Sequence, residues 1–454
     1  MSEKTNQTSE NRMGTEPINR LLFSMAIPMM LSMMVQALYN VVDSIFVAQI
    51  SEDALTAVSL GFPMQNLVIA FATGLGVGIN SLLSRSLGEK KQSMVNQSSR
   101  QGLFLEMCVA VIFMLIGLFG SGMFIRSQTG SAVIAEYGIT YLRICIGICP
   151  FCFLSVFYER MLQATGKTKL SMVAQMVGAV VNIIFDPIMI FVFDWGVAGA
   201  AIATVFGQFC GAMTGMFLHH KYNQEIHLTL KGFRPNGGVI RTILGVGVPS
   251  IIMASIGSVM TYCMNRILNG FTSTAVAVFG VYFKLQSFIF MPVFGLNNAI
   301  VPIIAYNYGA RRPRRMRETI RLAVVVAVCI MLCGFALMQL IPQVFLGFFD
   351  ASADMLAIGV PALRTISISF LAAGACIILG STFQALGKGI YSMCVSIARQ
   401  LVVLIPVAWL LSKTGQLSAV WWAFPIAEIM GVICTVVFFL HLNRTIIKPL
   451  ERSV

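Results

Sequence analysis

Charged residues are scarce in this chain. Only 11% of its 454 residues are Asp, Glu, Lys or Arg, whereas 57% are hydrophobic. So few polar side chains cannot cover the surface of a soluble protein of this length, and the composition therefore indicates a protein solvated by lipid. Segments of about ten residues with alternating apolar and polar side chains, typical of membrane β-barrels, are also missing. The membrane-spanning elements are therefore expected to be helices.

The residues from which catalytic and metal sites are built are few or badly placed. The chain has 4 His, all in segments expected at the cytoplasmic side, so neither a metal cluster nor a Ser-His-Asp arrangement can be assembled. Cys149 and Cys152 have CxxC spacing, but they lie inside an apolar span without a second such pair. We predict a protein that is not an enzyme and that holds no cofactor or structural metal.

A glycine-rich run, Gly74-x-Gly76-x-Gly78, lacks the spacing and the preceding strand of a phosphate-binding loop. Inside an apolar span, such glycines are expected to allow close contact between helices.

The chain does contain an internal repeat at an offset of 221 residues. Matching pairs include Pro28 with Pro249, Gln65 with Gln286, Gly74 with Gly295, Gly88 with Gly309, and the motif Gln-Ala-x-Gly-Lys at 163–167 with its copy at 384–388. The chain is therefore a duplicated hydrophobic unit.

Each copy offers six stretches long enough to cross a bilayer core, which needs about 20 apolar residues per helix. They lie near 18–46, 54–83, 101–122, 138–158, 170–192 and 196–218, and near 239–264, 275–305, 320–342, 359–382, 390–411 and 417–440. We predict an all-α membrane protein of twelve transmembrane helices in two parallel six-helix repeats. The expected parts are a tail at 1–19, an N-lobe at 20–220, a linker at 221–238, a C-lobe at 239–443 and a tail at 444–454.

The basic residues orient this bundle. Most of the 31 Lys and Arg residues, from Lys4 through the run 311–321 to Arg452, fall on the side that holds the N-terminus. Outside the spans, only Arg126, Arg266 and Lys413 fall on the other side, with acids such as Asp194 and Asp350. The positive-inside rule then puts both termini in the cytoplasm. The net charge of +13 is read as this topology signal and not as a nucleic-acid site.

Ionisable residues inside the spans are the functional candidates, because a charge at the centre of a membrane helix costs at least ~2.5–3.5 kcal/mol. The acids are Asp43, Asp186, Glu428 and the less deeply placed Glu106, and the bases are Arg143, Lys284, Arg364 and Arg399.

Asp43 and Asp186 occur in the first repeat alone, since their repeat partners are Met264 and Val407. Asp186 follows Asn182 by one helical turn, so the carboxyl and amide groups share one helix face. Two neighbouring carboxyl groups in a low-dielectric cavity suit the binding of H⁺, and the same oxygen atoms with an amide and a hydroxyl suit Na⁺. The alternative is a structural network, or a buried ion pair with Arg143.

Arg399 and Glu428 lie on adjacent spans of the second repeat. They form either a structural ion pair or part of the substrate cavity, and the same two interpretations apply to Lys284.

Several of these segments together resemble the multidrug and toxic compound extrusion (MATE) family. They are the first span from Ile27 to Ala48, the loop 53–59, Tyr141-Leu-Arg143, the two Gln-Ala-x-Gly-Lys copies, and the segment 301–309 (Val-Pro-Ile-Ile-Ala-Tyr-Asn-Tyr-Gly). The resemblance covers about residues 17–443. It implies a V-shaped antiporter of two six-helix lobes that exports amphipathic, often cationic compounds in exchange for inward H⁺ or Na⁺.

The resemblance also implies roles for particular residues. Asp43, Asn182, Asp186 and Thr204 match the cation site of the DinF-like prokaryotic branch, with Na⁺ possible at the first three. Tyr39 and Tyr141 are similar to residues that line this site, and Pro28 matches the proline at which the first helix bends. We expect the substrate cavity to include Tyr39, Tyr141, Gln36, Lys284, Arg399 and Glu428.

The expected protein is a monomer in the cell (inner) membrane whose partners are small amphipathic molecules and membrane lipids, with no nucleic acid. A lipid-linked precursor flippase of the same superfamily is the alternative and would carry a more basic central cavity. A major-facilitator transporter is disfavoured because residues 85–91 depart from the Gly-x-x-x-Asp-Arg loop of that family.

Overall fold

The computed structural model describes residues 10–229, 231–349 and 351–452. Lys4 and Asp350, both used above to orient the bundle, lie outside these ranges, as do the ends of the two tails. Within the described ranges, every regular element is a helix. The expectation of an all-α protein is confirmed.

Ten helices are long and apolar enough to cross a membrane, and two bent helix pairs bring the possible number of spans in the described ranges to twelve. In the first half they are α1 (Ile18–Ile50), α2 (Glu52–Gly88), α3 (Gln92–Arg126), α4 (Ala132–Gly147 and Pro150–Ala164), α5 (Thr168–Val192) and α6 (Gly196–Tyr222). In the second half they are α7 (Gly237–Asn269), α8 (Ser273–Gly309), α9 (Pro313–Leu340), α10 (Ala353–Ser367 and Phe370–Ala385), α11 (Gly389–Ser412) and α12 (Leu417–Arg452).

The two bent spans occupy equivalent places in the two halves. α4 bends by 43° and α10 by 48° at a short break in the helix. Pro150 begins the second part of α4, where its missing N–H removes a backbone hydrogen bond that would continue the first part. Each bent pair therefore replaces one straight span.

Helix starts repeat with the offset seen in the sequence. α2 and α8 begin 221 residues apart, at Glu52 and Ser273, and the same spacing separates the starts of α3 and α9, of α4 and α10, of α5 and α11, and of α6 and α12. The duplicated unit is therefore one complete six-helix arrangement.

The two halves meet through closely approaching helices. A Cβ atom at Gly74 of α2 would lie 2.5 Å from the Ile251 side chain of α7, and one at Gly295 of α8 would lie 2.5 Å from Met30 Cα of α1. Gly78 of α2 likewise packs against the Ile243 carbonyl oxygen. The expectation that these glycines allow close helix contact is confirmed.

A short helix, Arg12–Thr15, lies at the end of the molecule where α4 ends and α9 begins, and it contacts both halves. Met13 is fully buried, and its carbonyl oxygen accepts a hydrogen bond of 3.0 Å from Arg315 of α9. The neighbouring Asn11 donates a hydrogen bond of 3.0 Å to the Thr165 carbonyl oxygen, just after α4. The segment therefore ties the halves together at this end.

Candidate functional site

The acidic pair of the first half lies between α1 and α5. Asp186 is 0% exposed, and neither of its carboxyl oxygen atoms has a hydrogen-bond partner. Asp43, half-buried on α1, lies beside Asp186 and interacts with it electrostatically, and its Oδ1 atom also lacks a partner. The structure thus brings together the two carboxyl groups singled out from sequence.

An amide and a hydroxyl group lie beside this pair. Asn182 is one turn before Asp186 on α5, and its Nδ2 atom donates to Thr204 Oγ1 of α6 over 3.4 Å. Thr204 in turn donates to the Ala200 carbonyl oxygen at 3.0 Å. Asn182 Oδ1 is left buried without a partner. Buried polar atoms are normally paired, so this group of oxygen atoms is suited to a proton or a small hard cation.

Two tyrosines flank the carboxyl groups. Tyr39 of α1 lies within electrostatic range of both Asp43 and Asp186. Tyr141 of α4 is buried near Asp43 and accepts a hydrogen bond of 3.3 Å from Gln65 of α2.

A cavity of about 140 Å³ extends from this group among α1, α2, α4, α5 and α6. Its lining includes Asn182 and Thr204 of the predicted cation site, and Gln36 and Tyr39 of the predicted substrate cavity. The structure therefore brings these four side chains together, next to the acidic pair.

The same cavity contains an acid that sequence reasoning missed. Glu159 of α4 lines it and accepts hydrogen bonds from Gln175 Nε2 at 2.6 Å and from Ser155 Oγ at 3.2 Å. Ser32 Oγ of α1 donates to Gln175 Oε1. Glu159 lies close to the end of its span, next to Arg160. In the sequence, two adjacent charged residues at this place look like part of an exposed loop, so Glu159 was not singled out.

Arg160, counted from sequence among the basic residues of the cytoplasmic side, has a buried side chain, and the side of the membrane on which it lies stays a prediction. It is 7% exposed, and its Nη1 atom donates to Gln163 at 3.0 Å and, across the boundary between the halves, to Asn298 of α8 at 2.9 Å.

Glu106 was expected to lie less deeply than the other acids. It is 0% exposed, and both of its carboxyl oxygen atoms lack a partner.

Three basic residues inside the spans lie apart from the acidic pair. Arg143 is exposed on α4 and takes part in no ion pair among the described residues, so the alternative of a buried ion pair with Asp43 or Asp186 is wrong. Lys284 is exposed on α8, with its ammonium 5.7 Å from the Phe349 ring centroid. Arg364 is also exposed and donates to the Gln339 carbonyl oxygen at 3.2 Å.

The second half contains a different charged site. Arg399 of α11 and Glu428 of α12 form an ion pair, with Nη1 and Oε2 separated by 3.2 Å. Both line a separate cavity of about 100 Å³, together with Tyr282, Gln286 and Phe424. The predicted ion pair is present and lines a cavity, and its place in the substrate cavity stays a prediction.

Pro28 is buried in α1, and the helix continues through it from Ile18 to Ile50. Its role as a hinge stays a prediction.

Comparison with known proteins matches these features to one family. The MatE family model matches residues 28–188 and 249–410, one copy in each half of the chain. The multidrug export protein MepA of Staphylococcus haemolyticus (strain JCSC1435) is 26% identical over 420 residues, covering 90% of this chain and 91% of the relative. MepA of Staphylococcus aureus (strain MSSA476) is 25% identical over 414 residues, covering 91% of each chain.

Solved structures agree with this match. An outward-facing multidrug resistance MATE transporter of the MOP superfamily superimposes with a TM-score of 0.90 at 26% identity, over 98% of this chain and 99% of the other. A MOP superfamily transporter from Pyrococcus furiosus, described as having a binding pocket of reverse polarity that suggests a different function, gives a TM-score of 0.90 at 25% identity, with the same coverage.

The chain belongs to the MatE family of membrane transporters. It is a multi-pass membrane protein, and the two family matches coincide with its two six-helix repeats.

Proposed function

We propose that this chain is a multidrug efflux antiporter that exports amphipathic, often cationic compounds in exchange for inward H⁺ or Na⁺. The names of its relatives support the export of drugs. The proposed coupling site comprises Asp43, Asn182, Asp186 and Thr204. No cofactor is required, because the energy comes from the cation gradient.

One observation carries the proposal for the coupling site. Asp43 and Asp186 approach each other in an apolar bundle, yet three of their four oxygen atoms are buried without a partner. Two neighbouring ionised carboxylates repel each other, and the binding of a proton or Na⁺ between them relieves this repulsion. The site therefore favours a bound cation, and its affinity changes with any movement that separates α1 from α5.

A transport cycle follows from differential affinity. When the outward-open state binds H⁺ or Na⁺ at the acidic pair, the change in charge and helix position lowers the affinity for the exported compound. Release of the cation to the cytoplasm then restores the empty site. Each ligand shifts the conformational equilibrium only by the difference between its affinities for the two states.

We propose that the lobes at 20–220 and 239–443 move relative to each other, with the linker at 221–238 between them and Pro28 as a hinge in α1. The protein acts as a monomer in the cell (inner) membrane, surrounded by lipid, with both termini in the cytoplasm. The distribution of Lys and Arg supports this orientation. Cysteine labelling at positions 194 and 315 tests it, because the orientation requires the two positions to react from opposite sides of the membrane.

The flippase alternative requires a more basic central cavity. The two cavities described above instead carry one acid and one base each, Glu159 with Arg160 and Glu428 with Arg399. This balance gives no support to a site for a polyanionic lipid head group.

Ethidium efflux from reconstituted vesicles tests the proposed function. A pH gradient and a Na⁺ gradient are imposed separately, and one of them is expected to drive efflux. If neither gradient has an effect, the antiporter proposal is wrong.

A further inference from the structure

The cavity beside the acidic pair has two chemically different ends. Asn182, Thr204 and Tyr39 line the end next to Asp43 and Asp186, whereas Glu159 and its hydrogen-bond partner Gln175 line the other. The lining also includes apolar side chains of α1, α2 and α4, such as Val35, Ile69 and Val156.

Three residues that line the cavity carry a buried polar atom without a protein partner. These atoms are Asn182 Oδ1, Gln208 Oε1 and Arg160 Nε. Asn182 is 3% exposed and Arg160 7% exposed. Buried polar atoms are normally paired, so polar residues of this kind along the wall favour a polar occupant over an apolar one.

The size of the cavity restricts that occupant. Sites for drug-sized ligands usually measure about 300–1,000 Å³, whereas this cavity measures about 140 Å³. One water molecule takes a share of about 30 Å³ in the liquid, so the volume suits a few waters with one small ion.

The two ends lie at different depths. Gln175 precedes Asn182 by seven residues on α5, or about 10 Å along the helix axis. Glu159 is five residues before the end of α4 at Ala164. In the orientation proposed above, Glu159 is therefore the carboxylate of this cavity that lies closer to the cytoplasm.

We propose that Glu159 is a second binding position for the coupling cation, a hydrated H⁺ or Na⁺, through which the cation leaves the Asp43–Asp186 pair for the cytoplasm. The inference rests on the cation-coupled export proposed above. The cation moves from the acidic pair past Tyr39 and Asn182 to Glu159. If it is Na⁺, only its oxygen ligands change; if it is H⁺, the O–H bond on the acidic pair breaks, water carries the proton, and a new O–H bond forms on the Glu159 carboxylate. The two hydrogen bonds that Glu159 accepts hold its carboxylate in place while the cation is absent.

The charged and titratable groups around Glu159 set its preference for a cation. Arg160 and Cys152 lie on its own helix, and Tyr39 lines the same cavity from α1. Glu106 of α3 faces Arg160 and offsets part of its positive charge. The side chains that α5 and α6 present to the cavity are uncharged. Arg160 therefore limits how tightly Glu159 holds a cation, as a release position requires.

The experiment measures ethidium efflux in vesicles of known protein orientation while the coupling cation is varied separately on each side. In Glu159→Gln, we expect the cytoplasmic concentration that half-inhibits efflux to rise about tenfold or more, which is one pH unit if the cation is H⁺. The dependence on the outer concentration is expected to stay that of the wild type. Glu159→Asp keeps the carboxylate and is expected to stay close to the wild type on both sides.

A second variant is expected to lower the cytoplasmic cation concentration that half-inhibits efflux. Gln175→Leu removes a hydrogen bond to the Glu159 carboxylate, so the carboxylate binds a cation more tightly and efflux is inhibited at a lower cytoplasmic concentration. This variant decides the question if Glu159→Gln fails to insert. Glu89→Gln is the matched control, because Glu89 pairs with Arg85 and Lys91 at the end of α2, outside the cavity.

The inference is overturned if efflux by Glu159→Gln depends on the cation concentration as in the wild type on both sides of the membrane. It is also overturned if this dependence changes equally on the two sides. Asp43→Asn serves as the reference. If it stops gradient-driven efflux while Glu159→Gln changes nothing, the second position alone is wrong. If Asp43→Asn also has no effect, the proposed coupling site fails as well.

Discussion

The two halves of this molecule share a backbone plan and differ in their buried charges. Their helices start at the same offset, and α4 and α10 bend at equivalent places. In the first half, however, Asp43 and Asp186 have three buried oxygen atoms without partners and no basic residue paired with them within the described ranges. In the second half, Glu428 forms an ion pair with Arg399 through Oε2, and only its Oε1 atom lacks a partner. Duplication has preserved the packing, while the polar chemistry has diverged.

The divergence is reciprocal. The repeat partners of Asp43 and Asp186 are Met264 and Val407, and those of Arg399 and Glu428 are Gly178 and Gly207. A Cβ atom at Gly178 would lie 3.0 Å from the Gly207 carbonyl oxygen, so backbones touch at this place in the first half. In the second half, the ion pair fills the equivalent space.

This difference assigns different tasks to the two sites. A charge that is paired within the protein needs no ligand, whereas unpaired carboxyl groups in a low-dielectric interior gain free energy when a cation binds. The comparison therefore favours coupling in the first half and a substrate-facing or structural role for the ion pair in the second.

The largest effect is expected at the acidic pair. Asp43→Asn keeps the shape and most hydrogen bonding but removes the negative charge, so gradient-driven ethidium efflux should fall to the level of protein-free vesicles. Folding and membrane insertion should be unchanged. The matched change, Met264→Leu at the repeat partner, should leave most of the efflux intact. Equal loss in both variants would contradict the proposed asymmetry.

The glycine contacts should behave symmetrically, in contrast to the acids. Gly88 packs against the Tyr306 carbonyl oxygen, and its repeat partner Gly309 packs against that of Arg85. Alanine at either position forces the helices apart at an expected cost of about 1–3 kcal/mol. Thermal unfolding in detergent should show similar losses for both variants. A large loss in one and none in the other would mean that the halves do not share this contact.

The ion pair of the second half should matter more for stability than for coupling. Glu428→Leu leaves the largely buried Arg399 without its counter-ion and should cost about 1–3 kcal/mol. The double variant Arg399→Met with Glu428→Leu should recover much of this loss, because neither charge then remains buried. Unfolding temperatures of the single and double variants measure the difference.

The conservative variant separates coupling from substrate binding at this pair. Glu428→Gln should alter the range or affinity of exported compounds while cation coupling persists. Loss of coupling with an unchanged compound range would move the coupling site to the second half.

The smallest effect is expected at Arg143. This residue is exposed and takes part in no ion pair among the described residues, so Arg143→Gln should change stability by no more than about 0.5 kcal/mol. Ethidium efflux should stay close to that of the wild type. A loss comparable to that of Asp43→Asn would show that Arg143 does interact with the acidic pair in another state of the cycle.

Much of the fold could be predicted from sequence because its signals are local or periodic. Apolar stretches give the spans directly, and the offset of 221 residues gives the repeat. The proximity of Asn182 and Asp186 follows from helical spacing, and their pairing with Asp43 followed from the small number of acids inside the spans. The lipid bilayer requires each spanning helix to be long and apolar on its own, so the spans could be predicted without knowing how the helices pack.

The polar residues near the helix ends could not be predicted in the same way. Glu159 and Arg160 stand five and four residues before the end of α4, where a sequence pattern does not distinguish a solvated charge from a buried one. Their burial depends on Gln175 of α5 and Asn298 of α8, which are distant in sequence. Likewise, nothing local revealed that Arg143 lies on an exposed face of its helix.

The most direct test of the central claim is equilibrium binding of ethidium to the purified protein as the coupling cation is varied. Linkage requires that a cation bound at the Asp43–Asp186 pair lowers ethidium affinity, and that ethidium lowers cation affinity by the same factor. We predict this dependence in the wild type and in Glu428→Gln, and its absence in the Asp43→Asn, Asp186→Asn double variant. If the double variant keeps the dependence and Glu428→Gln loses it, coupling resides in the second half and the account is wrong.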